Sequence, residues 1–212
     1  MTHFDDLLAG YARFRANGWK QQRERWEELA EGQSPKVMII ACSDSRSEPA
    51  DIFDTNPGEI FVVRNVAALV PPFETSPGRH GVSAALEFAV QFLNVEEIVV
   101  MGHGMCGGCH AALHRTMEGA EPGRGGFIAD WIAVLDEASA EVRANFPDHA
   151  SREAGRAMEL AGVKVSLANL RTFPCIQERE KRGRLTLRGA FFAINEGVLH
   201  LLDEATGAFA PA

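Results

Sequence analysis

The chain has 212 residues, 46% of them hydrophobic, and a formal net charge of −8, with an isoelectric point near 5.4; that is enough apolar material for one sizeable core, and a single domain is the simplest division. No basic stripe appears, which argues against nucleic acid as a partner, and no apolar run approaches the roughly 18 residues of a membrane helix. Met1 to Gly10 carries Asp5 and Asp6 rather than the basic start and apolar stretch of a secretory signal, and four cysteines are too few for a disulfide framework, so a reducing, cytoplasmic setting with free thiols is expected.

Phe4, Leu7, Leu8, Tyr11 and Phe14 recur at intervals of three and four, which predicts helix across residues 4–31, divided in two by Gly18 and ended by Gly32. Gln33-Ser34-Pro35 breaks the pattern and Val37-Met38-Ile39-Ile40-Ala41 reads as the first strand. Asn56-Pro57-Gly58 signals a turn before a second strand, Ile60-Phe61-Val62-Val63. Pro71-Pro72 and Pro77-Gly78 mark a loop, residues 81–93 a largely buried helix, and 98–101 a third strand. A helix is expected from Gly107 to Met117, a mobile Gly- and Pro-rich surface loop over 119–126, and helices over 128–145 and 151–173. Leu185-Thr186-Leu187 begins a fourth strand that runs into Phe191-Phe192, and residues 195–202 read as a last helix. This order predicts an α/β fold with a mainly parallel central sheet flanked by helices. One domain spans 1–212, with an N-terminal helical arm over 1–32 and an α/β core over 33–205.

Chemistry-bearing residues follow the first and third strands. Cys42-Ser43-Asp44-Ser45-Arg46 follows one, and Gly102-His103-Gly104-Met105-Cys106-Gly107-Gly108 the other. Ligands of open parallel sheets gather outside the carboxyl ends of the strands, so Cys42, His103 and Cys106 are expected to converge on one ion. Two thiolates and an imidazole suit zinc with one position left open. Asp44 and Arg46, two apart, can face the same side, where the guanidinium keeps the carboxylate ionised. Gly107 and Gly108 open the next helix, whose free N–H groups can bond a thiolate or an anion; this makes Gly107 a candidate on the substrate side.

Cys106-Gly107-Gly108-Cys109-His110 also fits the C-x-x-C-H haem attachment pattern and contains a C-x-x-C redox motif. Haem is disfavoured by the lack of an export signal. Redox use is disfavoured because it leaves Cys42, Asp44, Arg46 and His103 unexplained. Cys109 is expected to pack inward from the first helical turn, His110 and His114 to lie on a solvated or partly packed face, and Cys175 to be structural.

With these motifs in view, the sequence resembles the β-class carbonic anhydrases. Similarity continues through Pro57-Gly58-Glu59-Ile60-Phe61-Val62-Val63-Arg64-Asn65, Leu86-Glu87-Phe88-Ala89-Val90 and Gly189-Ala190-Phe191-Phe192, covering about residues 33 to 200. The resemblance implies one Zn2+ per chain on Cys42, His103 and Cys106. It implies reversible hydration of carbon dioxide to bicarbonate and a proton by zinc-bound hydroxide, oriented by an Asp44–Arg46 catalytic dyad. It also implies a homodimer or higher homo-oligomer with active sites at the subunit interface, and N-terminal helices that pack on the partner subunit. Gln33 matches the substrate-binding glutamine of the plant-like branch, Phe61 an aromatic of the same pocket, and Phe88 a position where that branch often has tyrosine. Another branch carries a regulatory bicarbonate site built with a tryptophan and a late tyrosine; Ile39 and Phe192 stand there, although Arg64 is kept, so that site is expected to be absent. Two rival readings remain: a zinc hydrolase for a sulfur analogue of carbon dioxide, and a non-catalytic zinc module whose fourth position Asp44 fills.

Overall fold

The computed structural model describes residues 2–212. The chain divides into two compact units, Met1–Ser34 and Pro35–Ala212.

The first unit holds three short helices rather than the two expected: α1 (Phe4–Ala16), α2 (Gly18–Gln21) and α3 (Arg23–Glu31). The Asp6 carboxylate accepts the His3 N–H at 2.9 Å and so satisfies one free donor at the start of α1. Asn17 and Gln22, both outside helical geometry, separate the three segments. The periodic face of α1 is exposed: Phe4, Leu7, Leu8 and Tyr11 lie open, and Phe14 meets the Trp26 ring edge-on at 5.8 Å. Gln33 belongs to this unit and is exposed.

The second unit is built on one six-stranded sheet: β1 (Val37–Cys42), β2 (Ile60–Asn65), β3 (Glu97–His103), β4 (Thr186–Ala193), β5 (Val198–Asp203) and β6 (Ala208–Pro211). Their order is β2-β1-β3-β4-β5-β6. The first four run parallel and the last two antiparallel. β1 and β3 carry near-continuous apolar runs because a parallel strand between helical layers is buried on both faces; Met38, Ile40, Ile98, Val100 and Met101 are fully buried. Helices α4 (Pro49–Ile52), α5 (Gly81–Glu87), α6 (Gly107–His114), α7 (Gly126–Ile132), α8 (Asp136–Asn145), α9 (Arg152–Leu170) and α10 (Pro174–Lys181) complete the unit. The Ser151 hydroxyl caps α9 by accepting the Ala154 N–H at 3.2 Å. α9 lies directly on the sheet: a Cβ at Gly102 would stand 2.7 Å from Val163, a contact that only glycine allows.

Four expectations change. Residues 195–202 are not a helix: Ala193 O accepts the N–H groups of Glu196 and Gly197, Gly197 takes φ 67°, and the chain folds back into β5. A second turn, with Gly207 at φ 71°, leads into β6. The helix expected over 81–93 changes from α to π geometry at Phe88–Leu93 and stops at Asn94 in the left-handed region. Its Phe88 and Phe92 are exposed rather than buried. α6 ends at His114 rather than Met117, with Arg115 left-handed at its C-cap.

Candidate metal centre

β1 leads to β2 on one side, and the chain then crosses β1 to form β3 on the other side. The crevice between the carboxyl ends of β1 and β3 is therefore the point where strand order reverses, the usual ligand position in such sheets. Cys42 is the last residue of β1 and His103 the last of β3. Cys106 precedes α6 as its N-cap, with φ −70° and ψ 118°. One ligand atom from each of the three lies within 4.8 Å of the others, and all three residues are buried. The two sulfurs are 4.0 Å apart, against about 3.8 Å for two thiolates on a tetrahedral zinc with bonds near 2.3 Å.

His103 Nδ1 donates to Gly104 O at 2.9 Å, since a carbonyl can only accept. That bond fixes the tautomer, so the Nε2 lone pair is free. Nε2 is buried and has no hydrogen-bond partner among the described residues. Cys106 beside it, together with burial, pushes the Cys42 thiol up to about 12. Cys109 and burial push Cys106 up to about 12. Burial lowers the basicity of His103, but Cys42, the Gly104 carbonyl and Asp44 together more than offset this and the net direction is upward. Two adjacent buried sulfurs and a ring nitrogen without a partner form a donor set that a soft divalent cation would complete. This donor set fits zinc, as thiolate and imidazole prefer it to Ca2+ or Mg2+.

The surroundings are organised around this trio. Ala67, at φ 64°, points its N–H at Cys42 Sγ from 3.3 Å. Met105, at φ 57°, bends the chain between His103 and Cys106. Non-glycine residues in the left-handed region persist where neighbours hold them, often at functional sites. Gly108 lets α6 approach: a Cβ there would stand 2.8 Å from Val66 and 2.9 Å from Ala67. Glu159, on α9, accepts the Cys106 N–H at 3.1 Å, and burial raises its carboxyl above the ordinary range. It escaped the sequence reading, although a glutamate on the apolar stripe that includes Gly162, Val163, Ser166 and Leu167 was a usable signal.

Asp44 and Arg46 lie together at the rim. Asp44 Oδ1 accepts from Arg46 N and Nε, both at 2.9 Å, and Oδ2 accepts from Nη2 at 2.7 Å. Arg46 therefore holds the Asp44 carboxyl well below the usual carboxylate range. Oδ2 stands 4.0 Å from His103 Nε2, and Arg46 Nη2 also donates to Met105 O at 3.1 Å. Arg64, across the turn, donates from Nε to Cys42 O at 2.9 Å and from Nη2 to Asp44 O at 2.6 Å, while Nη1 pairs with the Glu48 carboxylate. All three guanidinium nitrogens are thus engaged.

Gly107 is the first residue of α6, beside Cys106. Phe61 and Phe88 pair with each other, ring centroids 5.9 Å apart. Cys42 pairs with Asn65, however, and Phe61 lies four residues earlier on β2. At about 3.3 Å per residue, that places the Phe61 backbone ~13 Å along the strand direction from the metal-ligating end of this chain.

A family profile described as "Carbonic anhydrase" matches residues 37–199. Beta carbonic anhydrase 3 of Arabidopsis thaliana is 34% identical over 96% of this chain and 80% of its own length. Beta carbonic anhydrase 5, chloroplastic, from the same plant is 36% identical over 89% of this chain, which spans 61% of that relative. Among solved structures, the β-carbonic anhydrase CcaA superposes with a TM-score of 0.90 at 29% identity, covering 99% of this chain and 92% of that one. A tetrameric β-carbonic anhydrase of the filamentous ascomycete Sordaria macrospora gives 0.77 at 29% identity, covering 98% of each chain. Fold, matched span and a buried Cys-His-Cys centre agree: the chain belongs to the carbonic anhydrase family, as a zinc enzyme of its β class.

Proposed function

We propose that the chain reversibly hydrates carbon dioxide to bicarbonate and a proton, with zinc held by Cys42, His103 and Cys106 and with Asp44 and Arg46 as the catalytic pair. The observation that carries this reading is the clamped, ionised Asp44 carboxylate 4.0 Å from the orphaned Nε2 of His103, beside two sulfurs 4.0 Å apart. When bound, zinc supplies the Lewis acidity that makes a water nucleophilic near neutral pH.

The protein's own groups then have distinct tasks. Asp44 accepts the hydrogen of the attacking oxygen and so directs that oxygen's lone pair at the carbon of the substrate. Arg46 keeps Asp44 charged and, through three bonds, away from the metal position, which favours the open form over one in which Asp44 fills the fourth site. The Gly107 N–H and the Gln33 amide are the candidate donors to the product oxygens. Phe61, whose backbone lies ~13 Å down the strand at about 3.3 Å per residue, and Phe88 packed against it serve the metal site of a neighbouring chain rather than their own. A homodimer or higher oligomer follows, with the open face of α1 packed on the partner; tetrameric assembly in the Sordaria macrospora relative supports it. Arg64, engaged by Cys42, Asp44 and Glu48, supports the expected absence of the regulatory bicarbonate site. Four free cysteines support a reducing compartment such as the cytoplasm, and among the described residues no helix is long and apolar enough to cross a membrane.

Metal analysis together with stopped-flow carbon dioxide hydration tests the reading. Asp44→Asn and Arg46→Ala are expected to keep one zinc per chain yet lose about 100- to 1,000-fold in kcat, the usual loss when a preorganised polar group is removed. Wild-type turnover in either variant would sink the dyad; absence of zinc from the purified protein would sink the centre.

A further inference from the structure

Cys109 is the one thiol beside the metal trio to which the proposed reaction gives no task. It follows the N-cap Cys106 by three positions, in the first turn of α6. Side chains at those two places face each other across the turn, as in a capping box. Cys106 is 3% exposed and Cys109 4%. Cys109 Sγ lies against α9 at Gly162 with room beside it: even an added Cβ would stand at ordinary contact distance, 3.6 Å from the sulfur. Cys42 has no such freedom, with its sulfur held by the Ala67 N–H and its carbonyl by Arg64.

We propose that Cys106 and Cys109 are a peroxide-modified pair, closing to a disulfide that removes a ligand from zinc and inactivates the enzyme reversibly. The inference rests on the zinc reading above. The Cys106 sulfur attacks one oxygen of hydrogen peroxide, the O–O bond breaks, hydroxide leaves and a sulfenic acid forms. Cys109 then gives up its proton and attacks that sulfur; the S–S bond forms, the S–O bond breaks and the second oxygen departs as water. Two thiols have lost two electrons and peroxide has gained them. A dithiol reductant reverses the step by exchange.

The test uses the zinc-loaded protein treated with hydrogen peroxide. A chromophoric chelator reports zinc release, and tryptic mapping after thiol alkylation locates the bridge. Cys106 and Cys109 share the peptide from His80 to Arg115, whereas Cys42 lies in the peptide from Val37 to Arg46. The expected result is zinc release with the His80–Arg115 peptide two hydrogens lighter and unalkylated at both cysteines, both effects reversed by dithiothreitol. Cys109→Ser and Cys109→Ala are expected to retain zinc, releasing it about tenfold more slowly, because the resolving thiol is gone. Zinc loss at the wild-type rate in both variants, a bridge to Cys42, or oxidation of Cys106 straight to sulfinic acid would overturn the proposal. Purified protein without zinc would instead count against the metal reading, while the mapped bridge still decides this one.

Discussion

Glu159→Ala is expected to weaken zinc binding without disturbing α9. The carboxylate is 8% exposed and accepts the Cys106 N–H at 3.1 Å, and the turn it holds contains Met105 in the left-handed region at φ 57°. A hydrogen bond to a charged group contributes about 1.5–3 kcal/mol. With the acceptor gone, the strained turn relaxes and Cys106 loses its preset orientation. At about 1.4 kcal/mol per tenfold change, zinc affinity falls about 10- to 100-fold, the range typical of supporting residues around metal ligands. Alanine is the best helix former, so α9 itself loses nothing. The assay is equilibrium competition with a chromophoric zinc chelator at fixed neutral pH, alongside circular dichroism. Glu159→Gln is the control: it keeps a side-chain carbonyl that can accept the same N–H. It should retain most of the affinity. If Glu159→Ala binds zinc within about twofold of wild type, the bond does not preorganise the ligand and the reasoning fails.

Zinc affinity should also depend steeply on pH. Both thiols are pushed up to about 12 in the metal-free protein, so across the neutral range zinc must displace two protons. Affinity then rises about 100-fold per pH unit and acid expels the metal; a chelator titration at several pH values with a slope near zero would contradict this. Gly108→Ala would drive its Cβ to 2.8 Å from Val66 and 2.9 Å from Ala67. Overpacking of this kind costs about 1–3 kcal/mol, at about 2–4 °C of Tm per kcal/mol in a chain of this size; an unchanged calorimetric Tm would show that the segment yields freely. Replacing Leu7 and Tyr11 on the open face of α1 with aspartate should shift sedimentation to a smaller species while zinc content stays at the wild-type level. An unchanged assembly would remove α1 from the interface.

What could be read from the residues and what could not divides along physical lines. β1 and β3 were legible because strands covered on both faces must be apolar throughout, and Cys42 and His103 were legible because they end those runs. The convergence of these two with Cys106 follows from strand order, and a chain that folds β1, then β2, then returns past β1 has its crevice at that place. The supporting contacts were not legible in the same way. Glu159 stands 53 positions from the N–H it accepts, and Arg64 reaches back across β1 to carbonyls that carry no sequence signature. Backbone N–H groups such as that of Ala67 are identical in every residue, so nothing in the letters marks the one aimed at a sulfur.

The carboxyl-terminal segment shows the opposite limit. Val198-Leu199-His200-Leu201-Leu202 has a helical composition, yet Asn195-Glu196-Gly197 turns the chain tightly enough that the segment's shortest route to a partner is the free edge of β4. A neighbouring strand supplied more hydrogen bonds than a helix this short could make for itself, and tertiary pairing overrode local preference. The resemblance places Phe61 and Phe88 in the substrate pocket, and parallel register fixes Phe61 opposite Met38, at the amino end of strands whose carboxyl ends carry the metal ligands. On the proposed reading, Phe61 reaches a metal centre only when a second chain brings one. The register that sets Phe61 away from the metal-ligating end of its own chain is therefore an argument for the proposed oligomer.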